Sequence, residues 1–346
     1  MSSLVCIYNN ATTETIGVCS MPLSTPQLAA YQALREGVGF VDLTPRSVLR
    51  IAGPGGGEFL HSFCTNDVRR LAPGDGCEAF VTSVQGKVLA FCGVYREVDR
   101  LTLETDGDGN RVLAAHLDKY LLADDVELID DAGRVAELLV AGRQAADWLG
   151  EHFTGEPPRQ PYQHLRGELH GLPATLRRVP WTPSAWLVEL DAKDRLPMTD
   201  QLLQHGAVAA DFDVWNALRI ECGWPEPGID VTDANLPQEV DRNDTAISFI
   251  KGCYLGQETV ARLDALGHVN KILRGLKFTG ESPPPAGTAL NVDGKEAARI
   301  TSSCWSPILQ RPIALGYVRR GRETAGSSFE ADGVGAVEVA GLPIAE

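Results

Sequence analysis

Eight consecutive residues, Lys251-Gly252-Cys253-Tyr254-Leu255-Gly256-Gln257-Glu258, hold a thiol, a cation, a carboxylate and two glycines. The apolar run Ile247 to Ile250 leads into them, so a buried segment is expected to enter a turn here. Gly252 and Gly256 allow positive φ or a close approach of another group. A helix is expected from about Gly256, which sets Cys253 just ahead of its N-terminus with Lys251 two residues away. A helix N-terminus and a cation both stabilise a thiolate. Such a thiol can attack an electrophile, exchange with a disulfide, or lend one ligand to an iron–sulfur cluster. It cannot hold a cluster alone, because clusters use about four ligands and no companion motif is present. Gln257 and Glu258 are read as capping the turn. His268 is read as a loop histidine with a structural hydrogen bond, the competing role being a base near the thiol. A buried, inert cysteine in a glycine-rich turn is the plain alternative for Cys253.

The elements that must position this turn belong to a chain of 346 residues, 44% hydrophobic, with a formal charge of −15. That length holds two or three compact units. The acidity disfavours nucleic acid and anionic membrane, which need a basic field. Cysteines stand at 6, 19, 64, 77, 92, 222, 253 and 304. None forms C-x-x-C and no Cys/His cluster has zinc-ligand spacing, so no metal site is expected. Scattered thiols suit a reducing cytosol. No Lys or Arg precedes Arg35 and no run reaches the ~18–20 apolar residues of a span, so a cytoplasmic protein without signal or membrane segment is expected.

Thr25 with Pro26 reads as a helix start, with Leu28, Tyr31 and Leu34 on the apolar face. Strands follow at 38–43 and 48–51, a hairpin at 78–95, and a helix over 110–122 with Val112 and Leu113 facing inward. Further strands are expected at 126–129, 135–140, 167–179 and 185–190, with helices at 144–151 and 195–205. A helix over 211–222, capped by Asp213, stops at Gly223 and Pro225. Short strands after Pro283-Pro284-Pro285 suggest a terminal barrel. Mixed elements without a strict βαβ repeat predict an α+β fold.

Several segments recur in a recognisable order: Val41-Asp42-Leu43, Phe63-Cys64-Thr65-Asn66-Asp67-Val68, Gln85-Gly86-Lys87-Val88-Leu89, Leu218-Arg219-Ile220-Glu221-Cys222-Gly223, Pro237-Gln238-Glu239 and the octet. This series resembles the folate-binding superfamily of the glycine-cleavage T-protein (aminomethyltransferase), and the octet resembles the signature of its YgfZ-type branch. The resemblance spans about residues 25 to 320. It implies a three-lobed ring around a folate: a first lobe from 1–46 and 135–240, an inserted α+β lobe from 47–134, and the signature turn with a C-terminal β-barrel from 241–346. Glu221 falls where the family pairs a carboxylate with the pterin, whose amine and ring N–H one carboxylate can accept together. Arg219, Lys251, Gly252, Tyr254, Arg262, Asn66 and Asp67 are assigned to the same folate site. Lys251, Arg262 and Lys271 are candidates for the carboxylates of a glutamate tail.

One departure is pointed. Where the aminomethyltransferases carry Asp-Asp after Gln-Gly-x-x-Leu, this chain has Ala90 and Phe91. Neither can stabilise a developing cationic iminium. The resemblance therefore implies a tetrahydrofolate-binding accessory protein (the folate plain or one-carbon-substituted) for iron–sulfur client or assembly proteins, without classical turnover. The alternative is a folate-dependent one-carbon transferase or demethylase that uses Cys253.

Overall fold

The computed structural model describes residues 18–19, 22–105, 109–121 and 125–345. Cys6, residues 106–108 and Leu122 lie outside them. The fold is α+β and is built on three sheets.

The first sheet has the order β12-β2-β8-β11-β10-β9, from strands Val208–Ala210, Gly39–Asp42, Val135–Ala141, Ala185–Asp191, Leu172–Arg178 and His164–Leu169. The second, β4-β5-β6-β3-β7, comes from Gly76–Thr82, Val88–Arg96, Arg100–Thr105, Ser47–Ala52 and Glu127–Asp130. The third runs β1-β15-β16-β13-β18-β17 from Val18–Cys19, Lys295–Ser306, Arg311–Arg319, Lys271–Phe278, Gly335–Ala340 and Ser328–Ala331. β14 (Ala289–Val292) pairs with β15 and packs against β17, which nearly closes a barrel.

Each sheet has its own apolar core, and a fourth core is shared by all three. Phe80, Val88 and Phe91 reach it from the second sheet, Leu139 and Leu187 from the first, and Leu273, Ile313 and Leu315 from the barrel. Helix α6 (Phe212–Glu221) passes through this shared core with every residue from Val214 to Glu221 buried. At roughly 1.5–3 kcal/mol for each fully buried large side chain, this core is what holds the three units together.

Local differences from the sequence reading have simple causes. Ser24, not Thr25, is the N-cap of α1 (Thr25–Arg35), because its amide and hydroxyl both reach Gln27 Oε1, at 3.0 and 2.8 Å. Asp211, not Asp213, caps α6, accepting from the Val214 amide at 3.0 Å. Val112 of α3 (Gly109–Leu117) is exposed, while Leu113 and Leu117 are buried. Strand β13, at the middle of the barrel, is not anticipated at all. It contains Gly275, where a Cβ would lie 2.5 Å from Ile344 Cγ1, so the glycine marks a close crossing rather than a break.

Candidate functional site

The octet does form a turn ahead of a helix. Gly256 sits at the N-cap of α8 (Gln257–Leu266) with φ 86°. A Cβ there would meet Ser83 O at 2.4 Å, and a Cβ on Gly86 would meet Thr259 Cβ at 2.7 Å. The Gln85-Gly86-Lys87 hairpin and the octet thus meet back to back, and two glycines make the contact possible. Thr82 Oγ1 donates to Leu255 O at 2.6 Å, and the Leu255 amide to Ser62 O at 2.9 Å. Gly252 is different: its φ is not positive and its nearest neighbour is 3.9 Å away, so no backbone demand explains it.

Lys251 is buried, and its ammonium donates to His61 O at 2.7 Å, Cys64 O at 2.6 Å and Asn66 O at 2.9 Å. All three protons of the cation are used. The Tyr254 ring lies 4.9 Å beneath it. Burial pushes the Lys251 pKa below its ordinary value. Lys251 therefore staples the octet to the His61–Asn66 segment and is spent there; it does not reach out to a ligand or to Cys253. Asn66 completes the staple, donating to Glu78 O at 2.9 Å and Thr245 O at 2.8 Å. Asp67 faces His61 at 3.3 Å and Arg70 at 3.2 Å. The Phe63–Val68 segment, the hairpin and the octet, distant in sequence, form one junction.

What this junction displays is Cys253, exposed. The approach to it is not the buried segment that its apolar sequence predicts. Ile247 is buried, but Phe249 is 46% and Ile250 86% exposed. The segment is pinned at Ser248, whose amide donates to Thr65 O at 2.9 Å, and the next two side chains point outward. Arg262 is exposed on α8, and His268 Nδ1 lies 2.8 Å from Leu266 O, the structural bond expected of it.

Ala90 and Phe91 are 7% and 2% exposed. Phe91 stacks on Phe80 at 4.9 Å between centroids and leans on Trp224 at 5.7 Å. Beside it a void of about 10 Å³ is bordered by Arg46, Glu78, Glu104 and Trp181, room for about one water. Around that void, Glu78 is clamped by Arg242 at 2.7–2.9 Å, and Arg46 pairs with Glu104. Ligand pockets typically run ~300–1,000 Å³.

Glu221 and Arg219 are both wholly buried. Glu221 accepts from the hydroxyls of Tyr31 and Ser306 and, at 3.4 Å, from the Ile308 amide, with Arg35 at 3.8 Å. Burial pushes its carboxyl above the usual range, against the Ser306 and Tyr31 bonds that pull it down. Arg219 donates to Asp230 at 2.7 Å, Ser302 Oγ at 2.8 Å and Trp224 O at 3.3 Å. That guanidinium ties α6 to β15 and to the 224–231 loop. It is a strut, where the sequence reading has it on a ligand. The chemistry of Glu221 suits a pterin edge, but its oxygens are taken by Tyr31, Ser306 and Ile308, so a pterin edge would have to replace the Tyr31 or Ser306 bond. A larger cleft, of about 310 Å³, lies between the end of α8 and the barrel, lined by Lys271, Arg274, His268 and Arg320. Lys271 there sits 3.6 Å from Glu239 and 4.8 Å over the Tyr317 ring. Neither Lys251 nor Arg262 borders this cleft.

Comparison with known proteins gives this arrangement a context. The family model of the GCVT N-terminal domain matches residues 10–246, and that of the glycine cleavage T-protein C-terminal barrel domain matches residues 271–343. A "Putative transferase, chloroplastic" of Arabidopsis thaliana is 26% identical over 303 residues, covering 86% of this chain and 69% of that protein. An aminomethyltransferase of Parafrankia is 28% identical over 333 residues, covering 93% and 90%. The crystal structure of the glycine cleavage system aminomethyltransferase T from Bartonella henselae superposes with a TM-score of 0.82, at 21% identity over 95% of each chain, a likeness of fold.

Proposed function

The chain belongs to the glycine cleavage T-protein family, and from that premise we propose that it is a member without aminomethyl transfer: a tetrahydrofolate-binding accessory protein that supports assembly or repair of iron–sulfur proteins. One observation carries the first half. At the position where the aminomethyltransferases place paired aspartates, Ala90 and Phe91 are buried and packed, and Phe91 stacks on Phe80. A developing iminium there would meet Ala90 and Phe91 in place of the paired carboxylates, and the neighbouring Glu78 and Glu104 are already paired with Arg242 and Arg46. Electrostatic stabilisation of the kind a carboxylate gives is often the largest catalytic contribution.

The second half rests on the octet and on what the turn presents. Cys253 stands exposed with Phe249 and Ile250 exposed just before it, on a segment pinned by Lys251. A rigidly mounted thiol beside two apolar side chains suits contact with another protein. One thiolate supplies one of the four ligands a cluster needs, so the client or an assembly protein would supply the others. Folate enters through the family and the carboxylate at Glu221. Its entry requires that Tyr31 or Ser306 release that carboxylate, so binding is expected to be coupled to opening of the α1–α6–barrel contact.

Calorimetry with tetrahydrofolate tests this directly. Saturable binding is expected, with Glu221→Ala weakening it at least tenfold, about 1.4 kcal/mol. Equal affinity in the variant would remove Glu221 from the site. Mixing the protein with methylene-tetrahydrofolate and an amine acceptor is expected to give no turnover above the uncatalysed rate. Turnover that Cys253→Ala abolishes would instead favour a one-carbon transferase working through the thiol.

A further inference from the structure

Three of the chain's seven histidines come together on the first sheet, away from every residue discussed so far. His152 is the last residue of α4 (Ala145–His152), His170 sits in the two-residue turn between β9 and β10, and His205 is the C-cap of α5 (Arg195–Gln204). One ring nitrogen from each lies within 4.8 Å of the other two. Ring centroids are 4.8 Å apart for His152 and His170, 5.1 Å for His152 and His205, and 4.0 Å for His170 and His205.

The packing around them leaves ring nitrogens without hydrogen-bond partners. His205 Nδ1 lies 2.9 Å from Gln201 O; a carbonyl only accepts, so Nδ1 carries the proton and Nε2 keeps its lone pair. That is how metal-bound histidines are commonly oriented, the second nitrogen donating to a backbone carbonyl. The Trp148 indole donates to the His205 backbone carbonyl at 3.0 Å, stacks on the His152 ring at 4.5 Å and meets the His170 ring edge-on at 5.4 Å between centroids. His152 Nδ1 and His170 Nε2 are buried with no hydrogen-bond partner. Buried nitrogens left without a partner are costly, and such groups call for an explanation.

The backbone adds a second cost at the same place. His170 has φ 50° and Gly171 φ 77°, the pattern of a hairpin turn in which both central residues are left-handed. Asn-Gly fills such a turn more cheaply than His-Gly. An imidazole has been put where a smaller residue would serve the fold better.

We propose that His152, His170 and His205 form a binding site for a borderline divalent transition-metal ion of the zinc class, with the fourth position open to water or an anion. Three neutral imidazoles and an open position are an established zinc donor set, and imidazole also suits nickel and copper. Bonds of about 2.0–2.1 Å in a tetrahedral site put ligand atoms about 3.3 Å apart. The triangle, with edges of 4.8 Å at most, therefore has to contract around the ion, and the His170 and His205 rings, stacked at an interplanar angle of 26°, have to turn so that both in-plane lone pairs meet it. His205 is exposed, which gives the ion an entry path.

The test uses the full chain, stripped with chelator and carrying Cys253→Ser to remove the exposed thiol as a competing ligand. Zinc chloride titrated in a calorimeter is expected to bind one ion per chain with a Kd on the order of 1 µM or tighter. Copper(II) is expected to quench part of the tryptophan emission at the same stoichiometry, through Trp148. His170→Asn restores the favoured Asn-Gly turn, so it should melt no lower than the parent while its zinc Kd rises at least tenfold. His205→Gln should weaken zinc likewise. A parent Kd weaker than about 100 µM, or a folded His170→Asn protein that binds zinc as the parent does, would overturn the assignment.

Discussion

Lys251→Met is expected to lower the stability of the folded protein by about 3 kcal/mol, more than any other single change in the octet. Three carbonyls from His61, Cys64 and Asn66 share one buried ammonium. Hydrogen bonds to charged groups contribute roughly 1.5–3 kcal/mol each, and a buried acceptor left bare costs ~1–3 kcal/mol. The simple sum overshoots, because burying the ammonium itself costs desolvation, which its lowered pKa records. Methionine keeps the volume of the stem and removes the donors, so packing loss is small. Urea melts read the loss in stability. Cys253 alkylation should speed up as well, since the turn that carries it is no longer pinned to the His61–Asn66 segment. A Lys251→Met protein within about 0.5 kcal/mol of the parent would show that the staple contributes nothing.

Arg219→Leu should cost about as much or more, 3–5 kcal/mol, for a different reason. Its loss leaves Asp230 buried at 0% side-chain exposure without its cation. Asp230 keeps the hydroxyls of Thr301 and Ser302 and the Glu226 amide at 2.9 Å, but these do not neutralise it. The pair should be coupled: Arg219→Leu with Asp230→Asn should recover at least 1 kcal/mol of the loss in a double-mutant cycle. The cycle also separates a strut from a ligand contact. If Arg219 binds folate directly, its replacement weakens tetrahydrofolate binding in protein that is still folded, and Asp230→Asn does not restore it.

The outline of the fold is legible because its signals are local. The caps lie at Ser24 and Asp211, one and two residues before the Thr25 and Asp213 that the sequence suggests, since those neighbours offer the same chemistry and only the hydrogen bonds decide. The octet is legible as a turn because Gly256 and the helix after it are sequence-local features. The partners of Lys251 are not, since they come from a segment nearly two hundred residues earlier. The same holds for Arg219, which the resemblance assigns to the folate site and whose partners Asp230 and Ser302 come from elsewhere in the chain. Phe249 and Ile250 mislead in the other direction: an apolar run reads as buried, and only the tether at Ser248 turns these two side chains outward. The three histidines carry no spacing signal whatever, because a helix end, a hairpin turn and another helix end bring them together.

The measurement closest to the central proposal is complementation. In a strain deleted for this protein, iron–sulfur enzyme activity is expected to fall, and the intact chain to restore it. The Cys253→Ala chain, expressed and folded to the same level, should fail to restore it. Full restoration by Cys253→Ala would contradict the account, because it would take the exposed thiol, the one reactive group the octet presents, out of the function.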